Sequence, residues 1–319
     1  MLHRTDRPKL TLVVLAAGMG SRYGGAKQAD SFGPNGELLL DYSLYDAWQA
    51  GFSKAVFVIR EELRDFFSRH FTSMLNGKME FQLVEQRLSD LPAVPANTAD
   101  ADNRKKPWGT GHALWAARDC IDSPFAVINA DDFYGRQSYI ELAQFMFDQL
   151  RQPSERPELT AGLVGFNLDN TLSTHGSVAR GVCQVDAANH LLAIEEHTDI
   201  QRQRNGIIKG RNKDDITVEL HPNTLVSMNM WGFPPAFIAA LEEQLKDFLR
   251  RYKNTSGQEF YLPAAVNDLL TEQRCRVQII RSAESWQGVT YAADKQELEK
   301  HIKQLVADNF YPDNLLSDN

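Results

Sequence analysis

Cysteine is scarce in this chain of 319 residues. Cys120, Cys183 and Cys275 are its three cysteines, far apart, odd in number and without a Cys-x-x-Cys pair. That argues against a disulfide framework and against a zinc site, and fits a reducing compartment. Positive charge is also in deficit: the formal net charge is −8. Nucleic-acid-binding proteins usually leave a basic footprint, so no nucleic-acid partner is expected. Small anionic substrates stay open, because they need only a few local cations. No apolar run is long enough to span a bilayer, so no membrane partner is expected. The start MLHRTDRPK is basic and the apolar run LTLVVLAAG follows, an order that signal peptides share. The run is short, and the residues behind it read better as chemistry, so a cytoplasmic protein is expected.

What is present is ordinary for a packed domain: 43% hydrophobic and 24% charged residues. Residues 10–16, 54–59, 79–86, 125–130 and 159–166 read as strands. Helices are predicted over 42–50, 61–71, 111–120 and 137–150, the first capped by Asp41 and stopped by Gly51. This alternation argues for an α/β domain with a mostly parallel sheet. Residues 87–108 interrupt it with Pro92, Pro95 and Pro107 and a polar stretch over 97–106; long loops of this kind are usually functional or disordered. Past about residue 165 the pattern changes. Residues 182–185 and 191–195 read as a hairpin turning at Ala188 and Asn189, 200–215 as a surface loop, and 225–233 as a strand. The remainder is mainly helical (235–251, 262–272 and 295–307) with one strand over 276–281. No repeat or linker is visible. A single domain over 1–319 is expected, with its core at about 10–233 and a C-terminal extension over 234–319.

The chemistry is concentrated first in residues 15–28, LAAGMGSRYGGAKQ, directly after the first strand. Glycines let backbone N–H groups turn toward a phosphate, Ser21 adds a hydroxyl, and Arg22 and Lys27 add a fork and a point charge. Two familiar glycine loops are excluded. Tyr23 stands where a dinucleotide fingerprint needs its third glycine, and no Gly-Lys-Ser/Thr follows the second glycine as in a Walker A loop. A tight strand-to-helix turn with incidental charges is the plain alternative. Downstream, 107–113 reads PWGTGHA, where Thr110 could simply cap the next helix. Residues 126–134 read AVINADDFY, an apolar strand ending in Asp131 and Asp132. Strand ends of this kind gather ligands in open α/β sheets, and a carboxylate there can hold Mg²⁺, though a helix-capping Asp is also common.

The loop resembles the LAAGxGxR…K signature of the sugar-1-phosphate nucleotidyltransferases and of relatives acting on N-acetylglucosamine 1-phosphate, choline phosphate and molybdopterin. The resemblance implies an α/β, Rossmann-like three-layer nucleotidyltransferase fold, akin to glycosyltransferase A, with a mixed, mostly parallel central sheet. It implies transfer of a nucleoside monophosphate from a nucleoside triphosphate to a sugar 1-phosphate, with Mg²⁺ as cofactor. Catalytic roles fall to Arg22, Lys27 and Asp131, the last also as metal ligand with Asp132 as a less certain partner. Nucleotide binding falls to Ala16, Ala17, Gly18, Gly20 and Ser21 in the loop and to Gln86, Gly109 and Thr110 on the base side. Residues 87–106 separate Gln86 from Gly109, where the family keeps these segments close.

The acceptor side matches more loosely. LAIEEH, 192–197, resembles a Glu-Lys segment that touches the sugar and its phosphate: Glu196 aligns with the glutamate, and His197 replaces the lysine. Lys209 is a candidate substitute. VSMNMWGF, 226–233, points to Asn229, which on pattern alone could equally face solvent. Gly288, in WQGVT, occupies the place of a second metal ligand, and Asp294 lies six residues on. The match is good over about 10–233 and weak beyond. A non-catalytic nucleotide sensor on the same fold, transfer to a non-sugar phosphate such as choline phosphate, and a nicotinamide-dependent dehydrogenase are the competing readings; Tyr23 counts against the last.

Overall fold

The computed structural model describes residues 8–18, 31–93, 104–151, 159–252, 257–289 and 291–315. Four parallel strands lie in the order β3 (Glu80–Glu85), β2 (Lys54–Ile59), β1 (Thr11–Leu15), β4 (Phe125–Asn129). Their side chains alternate between two hydrophobic clusters: Leu12, Val14, Ala55, Phe57 and Ile128 face one, and Val13, Leu15, Val56, Val58 and Val127 the other. Period-two alternation between two covered faces is why these strands read as unbroken apolar runs.

One face is covered by α1 (Leu39–Ala50), α2 (Arg64–Met74) and α4 (Arg136–Arg151), through residues such as Leu44, Phe67, Phe71 and Leu142. The other is covered by α3 (Thr110–Ala116), α5 (Phe237–Arg251) and α6 (Leu262–Thr271), through Leu114, Leu241, Leu245 and Val266. The result is three layers, α/β/α, and residues past 233 supply part of the second helical layer. They also add a strand: β12 (Cys275–Ser282) pairs in parallel with β6 (Leu159–Asn167).

The two halves of the sheet meet at β11 (Leu225–Phe233), which runs antiparallel to β4, to β6 and to β7 (Val178–Val185). From β7 an antiparallel arm extends through β8 (Leu191–Arg202), β9 (Ile208–Arg211) and β10 (Thr217–Leu220). The surface loop expected over 200–215 is therefore partly strand: β8 runs on to Arg202 and β9 covers Ile208–Arg211, with turns over 203–207 and 212–215. Ile200 and Ile208 are buried while Arg202, Arg211 and Glu219 point outward. So few inward apolar residues among so many charges hide the period from sequence. A short antiparallel pair, β5 (Asp132–Phe133) with β13 (Gln287–Gly288), brings the strand end after β4 against the approach to α7 (Ala292–Ala307).

Asp41 caps α1 from a different place than expected. The helix begins at Leu39, and the Asp41 carboxylate reaches back to accept the Leu38 N–H at 2.8 Å, the inner half of a capping box. Gly51 ends the helix at φ 107°, a left-handed conformation suited to glycine.

The C-terminal segment closes over α1. Phe32, Leu39, Tyr42 and Phe133 pack with Leu298, Ile302 and Tyr311. Beside them Asp46 is buried and held by Arg136 Nε at 2.7 Å and by the Tyr311 hydroxyl at 2.6 Å. Burial pushes the Asp46 carboxyl up to about 6, and these two hydrogen bonds oppose the rise. Removing the cation strands a buried carboxylate, so Arg136→Met is expected to cost about 3–5 kcal/mol at pH 8. Tyr311→Phe, which leaves the cation in place, is expected to cost about 1–2 kcal/mol. Because the folded pKa is raised, Asp46 ionises at the fold's expense as pH climbs from its unfolded value through about 6. The Arg136→Met penalty should therefore be smaller at pH 5 than at pH 8. Urea unfolding at the two pH values measures this, and a pH-independent penalty would contradict the ion-pair account.

Candidate active site

The strand order reverses direction at β1: β2 and β3 lie on one side of it and β4 on the other. In open α/β sheets such a switch point opens a crevice at the carboxyl ends of the strands. Register places Leu15 beside Asn129, so Ala16, Ala17 and Gly18 emerge next to Ala130 and Asp131. Ala16 donates to the Val58 carbonyl at 2.8 Å and Ala130 to that of Leu15 at 3.1 Å, which extends both strand ends. Among the described residues, nothing lies within 4 Å of where a Cβ on Gly18 would sit. Gly20, Ser21, Arg22 and Lys27 lie outside the described residues.

The β4 end carries a polar network. Asp132 Oδ2 accepts from Asn129 Nδ2 at 2.9 Å and lies 3.1 Å from the Tyr134 hydroxyl. That hydroxyl accepts the Asn129 N–H at 3.0 Å and stands 3.0 Å from the Met228 carbonyl, so its proton is shared between Asp132 and Met228. Asn229, at φ 62° in a β11 bulge, donates from Nδ2 to Asn129 Oδ1 at 2.8 Å and accepts from Trp231 Nε1 at 2.9 Å. Asn229 thus joins β11 to the β4 end rather than facing bulk solvent. Burial raises the Asp132 carboxyl, the charge of Asp131 adds to this, and the bonds from Asn129 and Tyr134 and the nearby Arg180 oppose it. Asp131 is half-buried beside it.

The base-side residues converge despite the 87–106 interruption. Gln86 follows β3 directly, and its Nε2 donates to the Gly109 carbonyl at 3.1 Å and to His112 Nδ1 at 3.0 Å. His112 is fully buried, and its Nε2 donates to the Asp90 carbonyl at 2.6 Å. Asp90 is in turn held by a two-pronged Arg118 contact, both distances 2.9 Å. Gly109 is the cap residue of α3 at φ 104°, and a Cβ there would lie 2.6 Å from the Phe260 carbonyl oxygen. Thr110 is the first helical residue rather than the cap, and its hydroxyl accepts the Leu262 N–H at 3.0 Å, capping α6 instead. His112 and Asp90 were not singled out from sequence; the histidine inside GTGHA was the one visible signal.

On the acceptor side, Glu196 is exposed to solvent, with neighbouring protein crowding its carboxyl. Burial raises its carboxyl and the Arg180 charge lowers it. Lys209 is not brought to it. Its register partner on β8 is Gln201, five residues beyond Glu196, or roughly 16 Å at strand rise, and it pairs with Glu219 at 3.5 Å. His197 is buried, with Nε2 3.0 Å from Glu195. Asp294 is committed elsewhere: its carboxylate accepts the Tyr291 N–H at 2.6 Å and the Ser173 hydroxyl at 2.8 Å at the start of α7. Gly288 stands opposite Asp132, and a Cβ on it would lie 2.4 Å from the Trp286 ring. Trp286 therefore occupies the space that a ligand-bearing side chain at 288 would need.

No family model matches the sequence. Over 129 residues, 38% of this chain, it is 30% identical to the UTP–glucose-1-phosphate uridylyltransferase of Bacillus subtilis (strain 168), and the match spans 43% of that relative's length. Among solved structures, one described as a glucose-1-phosphate thymidylyltransferase from Bacillus anthracis, in complex with sucrose, superposes with a TM-score of 0.59 at 12% identity, over 92% of this chain and 95% of that one. A UDP-glucose pyrophosphorylase complexed with UDP-glucose gives 0.52 at 16% identity, over 92% and 98%. The fold is shared with these two nucleotidyltransferase structures, and the sequence match to the uridylyltransferase is confined to one segment. Among the described residues no helix is long and apolar enough to cross a membrane.

The crowding at Gly288 is directly testable. Gly288→Ala is expected to cost about 1–3 kcal/mol through overpacking. That cost should shrink in a Trp286→Phe background, where the outer ring is gone. A double-mutant cycle by thermal or urea unfolding checks this; strict additivity would mean that the tryptophan is not what holds position 288 to glycine.

Proposed function

We propose that this chain is an enzyme that transfers a uridylyl or thymidylyl group from the triphosphate to a sugar 1-phosphate, releasing pyrophosphate. The observation that carries it is the convergence, at one switch point, of the glycine-loop stem, Gln86 with Gly109, and the Asp131–Asp132 pair. The fold shared with the glucose-1-phosphate thymidylyltransferase and UDP-glucose pyrophosphorylase structures, and the matched uridylyltransferase segment, support the same reaction.

The hydrogen bonds around Gln86 narrow the base class. His112 Nε2 faces a carbonyl, so it must carry the proton. Burial lowers the His112 pKa, which keeps the ring neutral and makes Nδ1 an acceptor. Both acceptors next to Gln86 then demand its NH₂ group, and the amide oxygen is what remains to meet a base. An amide oxygen complements the imide N–H of uracil or thymine, and the N1–H of guanine equally. It does not complement the ring acceptor at the same edge of cytosine or adenine. The names of the relatives, with UTP, UDP-glucose and thymidylyl transfer, favour uracil or thymine over guanine.

The acceptor phosphate is already anionic and needs no covalent enzyme intermediate. Its oxygen attacks the α-phosphorus in line, that new P–O bond replaces the bond to pyrophosphate, and pyrophosphate departs with the electron pair. The barrier lies in bringing two anions together and holding the extra charge. Arg22, Lys27 and loop N–H groups would meet that charge on the donor side. Adjacent carboxylates on Asp131 and Asp132 are hard oxygen donors of the kind and number that Mg²⁺ takes from protein. Bound there, Mg²⁺ would neutralise and orient phosphate oxygens. Glu196 and Asn229 would face the sugar, Asn229 being held in place by Asn129 and Trp231.

A matrix of UTP, dTTP, CTP, GTP and ATP against sugar 1-phosphates and choline phosphate, read by pyrophosphate release, tests the proposal. UTP or dTTP with a hexose 1-phosphate should turn over, and CTP should not. Lys27→Ala and Asp131→Ala should each lose about 100-fold or more in kcat; full pyrophosphate release by either variant would sink the assignment. Tight triphosphate binding without turnover on the whole panel would favour a nucleotide sensor instead.

A further inference from the structure

Neither cation expected on the acceptor side is available there. His197 stands in place of the lysine and contacts Glu195, and Lys209 is paired on the outer arm. A phosphorylated acceptor approaching a triphosphate still needs positive charge on its own side of the reacting phosphorus, because the two anions repel.

A different cation lies close to the β4 end and to Glu196. Arg180, on β7, is 7% exposed. The carboxylates that bear on its charge are Asp132 at the β4 end, Glu196 on the acceptor side and Asp294 at the start of α7. Among the described residues, none of them is in ion-pair contact with it. Its guanidinium hydrogen bonds go to neutral oxygens: Nε to Thr171 Oγ1 at 3.2 Å, one terminal nitrogen to the Ala179 carbonyl at 2.8 Å, and the other to the Thr171 carbonyl. A guanidinium has five N–H groups, so two remain unspent among the described residues. Taking such a group out of water without a counterion in contact is costly, and burial accordingly pulls its pKa down to about 10, with the three carboxylates opposing.

Two neighbours have unspent hydrogen-bonding capacity as well. The Trp286 ring lies 4.7 Å from the guanidinium carbon, is 8% exposed, and has an indole N–H with no partner among the described residues. His197 is directly opposite Arg180 in the β7–β8 register, is equally buried, and has an unpartnered Nδ1. A buried cation with free N–H groups, beside an orphaned indole donor, is a donor set suited to an oxyanion.

We infer that Arg180, with the Trp286 N–H beside it, receives the anionic group of the acceptor substrate. The inference rests on the nucleotidyltransferase reading and extends it to the residue that selects a phosphorylated acceptor. Arg180 also has a plain structural role, since it ties β7 to the turn at Thr171. That role alone would weaken donor and acceptor binding together.

UTP and glucose 1-phosphate are the probes, with steady-state pyrophosphate release as the readout. Arg180→Met is expected to raise the KM for glucose 1-phosphate about tenfold or more and to leave the KM for UTP within about twofold. Arg180→Lys should recover part of the loss, because it keeps the charge and gives up the fork. Inorganic phosphate should compete with glucose 1-phosphate in the unmodified chain, and its inhibition constant should rise in parallel in Arg180→Met. An unchanged acceptor KM and phosphate inhibition would overturn the inference, as would a parallel rise in both KM values. If Arg180→Met does not fold, Arg180→Lys against the unmodified chain decides by the same criteria. A chain that releases no pyrophosphate with any substrate pair before any substitution refutes the underlying reading, which keeps the two failures distinct.

Discussion

A carboxylate buried at the end of a central strand is tolerated only when its lone pairs are met, and at Asp132 meeting them ties the molecule together. Moving an ionised carboxylate out of water costs several kcal/mol unless hydrogen bonds replace its hydration. Here the replacements come from Asn129 and Tyr134, and both reach further. Tyr134 touches the Met228 carbonyl and Asn129 is held by Asn229, so the parallel half of the sheet is joined to β11 by polar contacts as well as by strand pairing. The β11 bulge is what lets Asn229 turn inward: two extra residues between Ser227 and Trp231 and a left-handed backbone at φ 62° re-aim its side chain. Strain of that kind persists only where the surroundings over-determine it, and Asn129 and Trp231 together do so.

Much of this was legible in sequence where one physical signal dominated. β1, β2 and β4 are buried on both faces, so their apolar runs had a single interpretation. Gly51 ended α1 because a left-handed residue was needed there. The arm after β8 was not legible, because its outward side chains are charged and its inward ones are few, and half-solvated ribbons lose the contrast that periodicity depends on. Asp41 was recognised as a cap but placed outside the helix, since one carboxylate can serve a helix start from either side of it. In the candidate site, what could be read was what a short motif holds in consecutive residues. Gln86 and Gly109 meet across a long interruption, and the His112–Asp90 relay behind them depends on contacts that no local pattern encodes. Arg180 was invisible for the same reason: VARGV is an unremarkable strand segment until Trp286, a hundred residues away, is laid on it.

The departures from the expected pattern are better understood as one rearrangement than as separate losses. Gly288 lacks a ligand-bearing side chain because the far edge of the Trp286 ring fills that volume. The same tryptophan covers Arg180, and Arg180 stands across the strand pair from His197, where the resemblance called for a lysine. A bulky ring at 286 and a carboxylate at 288 exclude one another sterically. Adopting the ring removes a negative group beside Asp132 and shields a buried guanidinium that can compensate the charge of Asp132 and of Glu196. Positive charge leaves position 197 and reappears, desolvated, on the neighbouring strand. In a chain whose net charge is −8, handling anions depends on where a few cations are placed and how far water is excluded from them, because attraction strengthens as the local dielectric falls. On the inference drawn above, a cation nine-tenths buried next to the strand end would attract an incoming phosphate more strongly than a flexible surface lysine.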